Sequence, residues 1–226
     1  ARRASKLLAE PGPIDRARLL RIKFDTGYER AGYVAWMLDA IARLDLRAEP
    51  DLAAAQRLLA GWDFNADSQG AADALAVMVL EPAMKASYGL KPAPDPHAVL
   101  AETVTHLQRH FGRIDPPLGQ VLRIRRGAVD LPGEGGGDTL RAATDWDVDA
   151  DGRLSIKHGD SFVMLIEWDR AGRVRSESIQ PYGAATTRPD SPHYADQAAL
   201  FTARKFKPVR FERADVLKHA VRRIVV

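Results

Sequence analysis

The chain has 226 residues, of which 46% are hydrophobic and 28% charged, a composition typical of globular proteins with one large domain or two small ones. No stretch approaches the ~20 consecutive apolar residues of a membrane-spanning helix, which argues against an integral membrane protein. Cysteine is absent, so disulfide and thiolate chemistry are excluded and the redox compartment stays open.

The net charge of +3 is unevenly distributed along the chain. From Phe201 onward, eight basic residues stand against Glu212 and Asp215, so the preceding part carries −3. The basic residues are Arg204, Lys205, Lys207, Arg210, Arg213, Lys218, Arg222 and Arg223. A basic segment is one mark of nucleic-acid binding, but these bases alternate with apolar residues, as on elements with one solvated face. We therefore expect a solvated or subunit-facing surface and no nucleic-acid partner.

The first part of the chain has the pattern of a helical segment. Residues 13–25 and 33–44 place apolar side chains at the spacing of a helix face. Residues 51–87 predict two helices separated by "GWDFNADSQG", a turn rich in Asn, Asp and Gly. A further helix is predicted over residues 95–112, so we expect residues 1–114 to be mainly helical.

The second part, residues 115–226, has the pattern of loops and strands. Strands are predicted around residues 162–168 and 174–179, with tight turns at "DADG" and "DRAG". A last helix is predicted over residues 213–224. The sequence therefore predicts an α+β fold in which the helical segment 1–114 precedes a β-rich segment closed by a C-terminal helix.

One pair of histidines has the spacing of a zinc-binding helix. His106 and His110 stand four residues apart on the predicted helix, but Leu107 occupies the position of the general-base glutamate and no third ligand is indicated. We interpret the pair as two surface histidines.

The stretch "DVDADG" resembles the start of a calcium-binding loop. Asp147, Asp149 and Asp151 alternate before Gly152, but the twelfth position, which should be a bidentate glutamate, is His158. The flanking segments do not predict the required helices. A tight turn between strands is the preferred interpretation, with an incidental cation as the alternative. We expect no metal site and no cofactor.

The glycine-rich stretch "PGEGGGD", residues 132–138, could suggest a phosphate-binding loop. It lacks both the Gly-Lys-Ser/Thr ending and the G-x-G-x-x-G spacing after a strand. The sequence favours a flexible surface loop.

A serine, a histidine and an aspartate suggest an esterase triad. "GDSF" and "DSPH" would make Ser161 the nucleophile, His193 the base and Asp190 the orienting acid of an esterase built on a doubly wound sheet. Only about thirty residues of strand and turn separate Ser161 from His193, which leaves no room for the βα units of such a sheet. We therefore reject the esterase interpretation.

The stretch "TTRPDSPHYADQAALF", residues 186–201, predicts a rigid crossover that leaves a core strand. Pro189 and Pro192 restrict the backbone, and Tyr194 has a ring suited to burial. Three side chains can cap the turn or helix that follows: Asp190, Asp196 and Gln197.

Several of these stretches, taken in order, resemble the penicillin acylase (penicillin amidase) family of N-terminal-nucleophile hydrolases. They are "RIKFDTGYER", "LLAGWDFNADSQGAADAL", "GGGDTLRAATDW", "GDSFVMLIEW", "SIQPYGAATTRPDSPHYADQAALF", "KPVRF" and "RADVLKH". The run "SPHYADQ" is the most specific match. Within the family, the stretch looks closest to the acyl-homoserine lactone and lipopeptide acylases.

The resemblance implies a particular fold and mechanism. Such precursors cut themselves into an α and a β subunit, and the β subunit begins with a serine whose own amino group is the general base. Backbone donors and an asparagine stabilise the oxyanion. These groups lie early in the β subunit, whereas this chain resembles its later part, whose strands would complete an αββα sandwich. We therefore assign no catalytic residue to this chain, leave its substrate-binding residues unassigned, and expect the chain alone to be inactive.

The resemblance also implies partners and a compartment. The chain would work with the α subunit and the serine-initiated part of the β subunit in a heteromeric acylase, periplasmic or secreted. Its substrates would be acyl-homoserine lactones or related acyl amides. Calcium bound by such enzymes is not expected in this segment. The start at Ala1 suggests processing, nicking or a fragment. The alternative is a non-catalytic binding or structural module that retains the fold.

Overall fold

A computed structural model describes residues 2–222 of the chain. The chain divides into two compact units, unit 1 up to Asp160 and unit 2 from Ser161. The boundary predicted between residues 114 and 115 follows secondary structure rather than compactness, and it stays a prediction.

Unit 1 begins with a helical part that holds most of its core. The helices are α1 (Arg2–Ala9), α2 (Arg16–Lys23), α3 (Tyr33–Ala42), α4 (Pro50–Ala60), α5 (Asp73–Ser87), α6 (Pro96–Phe111) and α7 (Leu118–Val121). The side chains of Met37, Leu75, Leu80, Leu100 and Leu107 are less than 2% exposed. They lie on α3, α5 and α6, so these three helices form the centre of the unit.

Local sequence explains where several of these helices begin and end. Asp95 caps the start of α6 by accepting hydrogen bonds from the amides of His97 and Ala98, and Pro96 occupies the first turn. Gly112 ends the helix in the left-handed conformation, at φ 70°. Asp15 caps α2 in the same way as Asp95 caps α6. The predicted helices over 13–25, 33–44, 51–87 and 95–112 are therefore confirmed, with shorter bounds.

A four-stranded sheet completes unit 1. Its strands are β1 (Leu122–Arg126), β2 (Val129–Pro132), β3 (Ala143–Val148) and β4 (Leu154–Gly159), in the order β2-β1-β4-β3. Strand β1 is antiparallel to β2 and parallel to β4, and β3 is antiparallel to β4. Leu122 and Leu154 are partners in the ladder and both are buried in the core shared with the helices. The sheet therefore packs on the helices through apolar side chains.

Unit 2 is built on an antiparallel three-stranded sheet. Its elements are β5 (Val163–Trp168), β6 (Val174–Ile179), α8 (Ala198–Thr202), β7 (Lys207–Pro208) and α9 (Arg213–His219). The strand order is β5-β6-β7. Both predicted strands and the "DRAG" turn between them are confirmed. The last predicted helix ends at His219 in the structure, and its residues Arg223 and Ile224 lie outside the described residues.

The α+β fold class is confirmed, with helices first, strands next and a helix near the end of the described chain. Several elements were not predicted, among them α1, α7, α8, β1 and β2. The helix α1 is short, with eight residues and none of them buried.

The buried arginine of α2 organises the connection between α1 and α2. The Arg18 guanidinium is 6% exposed and donates to the carbonyl oxygens of Leu7, Glu10 and Gly12 at 3.0, 2.6 and 2.8 Å. Leu7 belongs to the last turn of α1, so Arg18 satisfies a helix-end carbonyl as well as the loop.

We expect the substitution Arg18→Met to lower the free energy of unfolding by about 3 kcal/mol, because the carbonyls of Leu7, Glu10 and Gly12 lose a shared charged donor. Urea denaturation measures the loss, and limited proteolysis should show early cleavage in the loop before Asp15. Arg21→Met, at an exposed position of the same helix, is the control. Equal stability of the two variants would contradict the structural role of Arg18.

Candidate functional site

The glycine loop, residues 132–138, is packed into unit 1 and not a flexible surface loop as the sequence suggested. Gly133, Gly135 and Gly136 are buried. The amide of Gly135 donates to the carbonyl of Ala66 at 2.8 Å, and the amide of Gly137 donates to the hydroxyl of Tyr28 at 2.9 Å. These bonds hold the loop against distant parts of the chain.

The glycines are required because other atoms touch the loop backbone. A Cβ on Gly136 would lie 1.8 Å from the Tyr28 hydroxyl, and one on Gly137 would lie 2.1 Å from the sulfur of Met84. A side chain at either position would displace these groups. Composition alone does not distinguish this close packing from flexibility, so the sequence-based interpretation was wrong.

The turn between α4 and α5, residues 61–70, connects several segments of unit 1. The carbonyl of Phe64 accepts from the amide of Tyr28, and the side-chain oxygen of Asn65 accepts from the Thr26 hydroxyl at 2.6 Å. Ser68 accepts from the amide of Gly119 at 2.8 Å. Phe64 and Ser68 adopt positive φ, so the turn is strained where it makes these contacts.

The turn encloses a buried carboxyl group. Asp73 is 0% exposed, and it accepts hydrogen bonds from the indole of Trp62 and the amide of Gly70, both at 3.2 Å. Burial raises the pKa of Asp73 to about 6, although the two donors act in the opposite direction. The nearby carboxylates of Asp67 and Asp63 raise the pKa further.

Next to the glycine loop lies a pocket of about 310 Å³, which we call the tyrosine pocket. Its polar lining includes Arg2, Arg3, Tyr28, Glu29, Tyr33 and Asp138. Tyr33 begins α3, and Gly32 before it offers no side-chain cap to the helix. Aromatic walls with a few polar groups are typical of small-molecule sites.

The tyrosines of this pocket are suited to binding and not to proton abstraction. Burial raises the pKa of both Tyr28 and Tyr33, and the carboxylate of Asp138 adds to the effect. Their hydroxyls therefore stay protonated at neutral pH. Tyr88, at the same carboxylate, donates to Asp138 at 2.7 Å. Sequence patterns missed the pocket because its residues come from four separate segments.

The two helical histidines, His106 and His110, are half-buried and not on the surface as expected. Their rings lie 4.7 Å apart, and His106 Nε2 is 2.8 Å from the carbonyl oxygen of Gly152. A Cβ on Gly152 would lie 2.1 Å from the His110 ring. Burial lowers the pKa of His106. The pair therefore packs the turn between β3 and β4 against α6.

Arg125 occupies the centre of the acidic turn that resembles a calcium loop. Its guanidinium binds Asp149 at 2.7 Å, Asp151 at 2.9 Å and Asp130 at 2.9 Å. These hydrogen bonds hold the pKa of Asp151 well below its usual range. An arginine thus neutralises the carboxylates that a cation would need, and the tight-turn interpretation is confirmed.

The remaining members of that pattern form cross-strand pairs. Asp147 on β3 pairs with Lys157 on β4 at 3.1 Å, and His158 on β4 lies 3.3 Å from Asp145 on β3. Asp145 and His158 are direct partners in the ladder. Among residues 2–222, no group of three or more His, Cys, Asp or Glu side chains is arranged to hold a metal ion.

The proposed esterase residues are not assembled as a triad in the described part of unit 2. His193 Nδ1 lies 2.8 Å from Asp196 Oδ2, so Asp196 and not Asp190 orients the ring. Ser161 and Asp190 are exposed. This geometry agrees with the rejection of the esterase reading.

The segment 186–201 belongs to a closed loop. The amide of Ala185 donates to the carbonyl of His193 at 3.0 Å, and the amide of Gln197 donates to that of Tyr182 at 2.8 Å. Gln197 stands at the cap of α8, but its side chain makes no capping bond, contrary to expectation. Backbone hydrogen bonds close this loop without a side-chain cap, and its rigidity stays a prediction.

The aspartate of "GDSF" has a structural role in unit 1. The ammonium group of Lys23 lies 2.8 and 2.9 Å from the Asp160 carboxylate oxygens and 2.7 Å from the carbonyl of Leu140. The Asp160 side chain is 10% exposed, and Arg141 lies 3.8 Å away. The pair therefore joins α2 to the end of β4.

The basic residues of the last segment are partly engaged within unit 2. Lys207 donates to the Ser178 hydroxyl at 3.2 Å, and Arg210 binds Asp215 at 3.0 Å. Arg223 lies outside the described residues. Among the described residues, no helix combines the length and apolar character needed to cross a bilayer.

An ion pair between a histidine and a glutamate, outside the tyrosine pocket, can be tested by pH titration. His97 Nε2 lies 2.9 Å from the Glu49 carboxylate, which raises the pKa of His97 above its ordinary value of 6.5. The pair therefore adds stability below pH 6.5, and this contribution is lost as pH rises through the folded pKa.

We expect an NMR titration to give a pKa above 6.5 for His97 and a return towards 6.5 in Glu49→Gln. His219, which has a different partner, provides an internal reference in both spectra. Identical His97 titrations in the two proteins would rule out the pair.

The fold and the pocket define an α+β protein whose glycine-rich and acidic turns are structural. A family model described as penicillin amidase matches residues 1–218. The chain therefore belongs to the penicillin amidase family, a hydrolase family that acts on amide bonds. This confirms the family that the sequence resembled.

Proposed function

We propose that the chain is the later part of the β subunit of a heteromeric acylase. Its substrates are acyl-homoserine lactones or related acyl amides, such as β-lactam side chains and lipopeptides. The nucleophile is an N-terminal serine on another chain of the same precursor, and this chain alone is inactive. The compartment is the periplasm or the exterior of the cell.

The observation that supports assembly with other chains is the exposed apolar face of β5. Met164, Ile166 and Trp168 alternate along β5 and are 43, 41 and 66% exposed, and Phe162, just before the strand, is 58% exposed. Alternate residues of a strand share one face, so these side chains form a continuous apolar surface. Such a surface favours burial against another layer, as in the αββα sandwich that the resemblance implies.

The position of β5 adds a second argument. In the described sheet it is an edge strand, with β6 as its neighbour on one side. Within Val163–Trp168, Glu167 is the only charged residue and proline is absent, so common protections against edge pairing are weak. Both the face and the edge are suited to receiving strands from the serine-initiated part of the enzyme.

The test begins with native mass spectrometry of the protein as purified from its source, followed by denaturing mass analysis of each component. We expect this chain together with a small chain and a chain that begins with serine. The same preparation should hydrolyse long-chain acyl-homoserine lactones, with penicillin G and a lipopeptide compared in parallel. An isolated, inactive chain would favour the alternative of a non-catalytic module.

A matched pair of variants in the full precursor tests the β5 face. Ile166→Asp places a charge on the apolar face, and we expect the companion chains to be lost, with activity reduced at least about tenfold. Ala171→Asp introduces the same side chain in the exposed turn after β5 and should assemble normally. Normal assembly of Ile166→Asp would show that this face is not an interface.

A further inference from the structure

The helix α1 is bound to the rest of unit 1 by ion pairs, and its Ala4 and Leu7 are half-buried. No residue of α1 is buried. Arg3 donates from Nε and Nη2 to the two carboxylate oxygens of Asp25, both at 2.8 Å, and from Nη1 to Glu29 at 3.2 Å. Lys6 adds a second pair with Glu29, also at 3.2 Å. The N-terminal half of the helix is therefore fastened at two carboxylates.

The site that receives Arg3 is shaped for a guanidinium group. Gly27 lies beneath it, and a Cβ there would be 2.8 Å from Arg3 Nη2. The side chains of Arg3, Asp25 and Glu29 are 26, 17 and 25% exposed, so the bidentate contact is partly shielded from water. Such shielded, forked contacts are stronger than ordinary surface ion pairs.

The other end of α1 has a different attachment. Arg18 binds the carbonyls of Leu7 and Glu10, where α1 ends and the loop begins. This attachment comes from α2 and does not involve Arg3, Asp25 or Glu29. Loss of the Arg3 contact therefore leaves the C-terminal end of α1 anchored.

The helix also forms one wall of the tyrosine pocket. Arg2 and Arg3 line that pocket together with residues of the segment that runs from Tyr28 to Val34. Movement of the N-terminal end of α1 would therefore widen the pocket and expose Tyr33.

We propose that α1 is a hinged lid over the tyrosine pocket, latched by insertion of the Arg3 guanidinium between Asp25 and Glu29. The hinge is the C-terminal end of α1, which the Arg18 hydrogen bonds keep in place. Since the latch is an ion pair, a soluble guanidinium compound competes for the two carboxylates. The lid does not depend on the proposed acylase activity.

The test compares Arg3→Gln with Arg21→Gln, the same change at an exposed position of α2 that does not line the pocket, by hydrogen exchange and mass spectrometry. In Arg3→Gln we expect α1 amides to exchange at least about tenfold faster, while α5 amides keep their wild-type protection. Hydroxyl-radical labelling of Tyr33 should rise in the same variant. Arg21→Gln should match the wild type in both measurements.

A second variant and a competition experiment complete the test. Glu29→Gln should loosen α1 in the same direction, and free arginine in excess over the protein should loosen wild-type α1 but not α5. Equal acceleration of α1 and α5 would mean that Arg3 supports the whole unit and that there is no lid. Unchanged exchange in α1, or unchanged labelling of Tyr33, would also overturn the proposal.

Discussion

Replacing Gly135 with alanine is expected to lower the free energy of unfolding by more than about 4 kcal/mol, or to prevent unit 1 from folding. Gly135 has φ +81°, and an added Cβ would lie 1.8 Å from the carbonyl oxygen of Arg141. That oxygen is main chain, and the Arg141 amide is bonded to the carbonyl of Asp25 at 2.9 Å. The neighbour therefore has little freedom to move away.

The matched control is Gly89→Ala. Gly89 has a similar φ of +71°, but nothing lies within 4 Å of an added Cβ. This variant should lose only the cost of a left-handed alanine, about 1 kcal/mol. Urea denaturation of both variants separates steric clash from backbone strain. Equal losses would mean that the glycine loop is not packed as described.

Replacing Asp73 with asparagine is expected to remove a pH-dependent loss of stability. The folded pKa of about 6 lies above the ordinary value of 3.8, so the folded state binds the proton more tightly than the unfolded state. The contribution of Asp73 to the free energy of unfolding of the wild type is therefore present below pH 4, and it is lost as pH rises to about 6. The difference in pKa corresponds to about 3 kcal/mol.

The measurement is the free energy of unfolding of wild type and Asp73→Asn between pH 4 and pH 7.5. The asparagine variant loses part of the bonding to Gly70, but its stability relative to wild type should rise by about 3 kcal/mol across this range. Asp51→Asn, at an exposed position of α4, should show no comparable trend. A pH-independent difference between Asp73→Asn and wild type would show that Asp73 is ionised at little cost.

Both predictions concern two segments that contact each other, the turn 61–70 and the glycine loop. Gly135 belongs to the loop, and Asp73 is bonded to Gly70 of the turn. The amide of Gly135 donates to the carbonyl of Ala66, so a change in either segment reaches the other. The same turn binds the segment that carries Tyr28, which lines the tyrosine pocket. The shape of the pocket therefore depends on packing that lies outside it.

Much of the fold could be predicted because its causes are local. The helix α6 begins at a capping aspartate, carries buried residues such as Leu100 and Leu107 on one face, and ends at Gly112. The strand β5 is a short apolar run bounded by turns. Periodicity, caps and turn residues act within a few positions, so they can be read without knowledge of the rest of the chain.

The site could not be predicted in the same way. His106 and His110 have a metal-like spacing, yet what they touch is Gly152, more than forty residues away. Asp149 and Asp151 have a calcium-like spacing, yet Arg125 from another strand lies between them. A sequence motif shows which groups are close together along the chain. Their chemistry depends on which residues from distant segments contact them in the fold.

By itself, the sequence determined the α+β class, the positions of most helices and strands, and the family, because these depend on local periodicity and ordered stretches along the chain. Only the tertiary structure decided that the glycine loop is buried, that Asp73 is enclosed, and that Arg3 of α1 pairs with Asp25. Those features depend on contacts between distant segments, in which burial and electrostatics are set by groups that no single stretch contains.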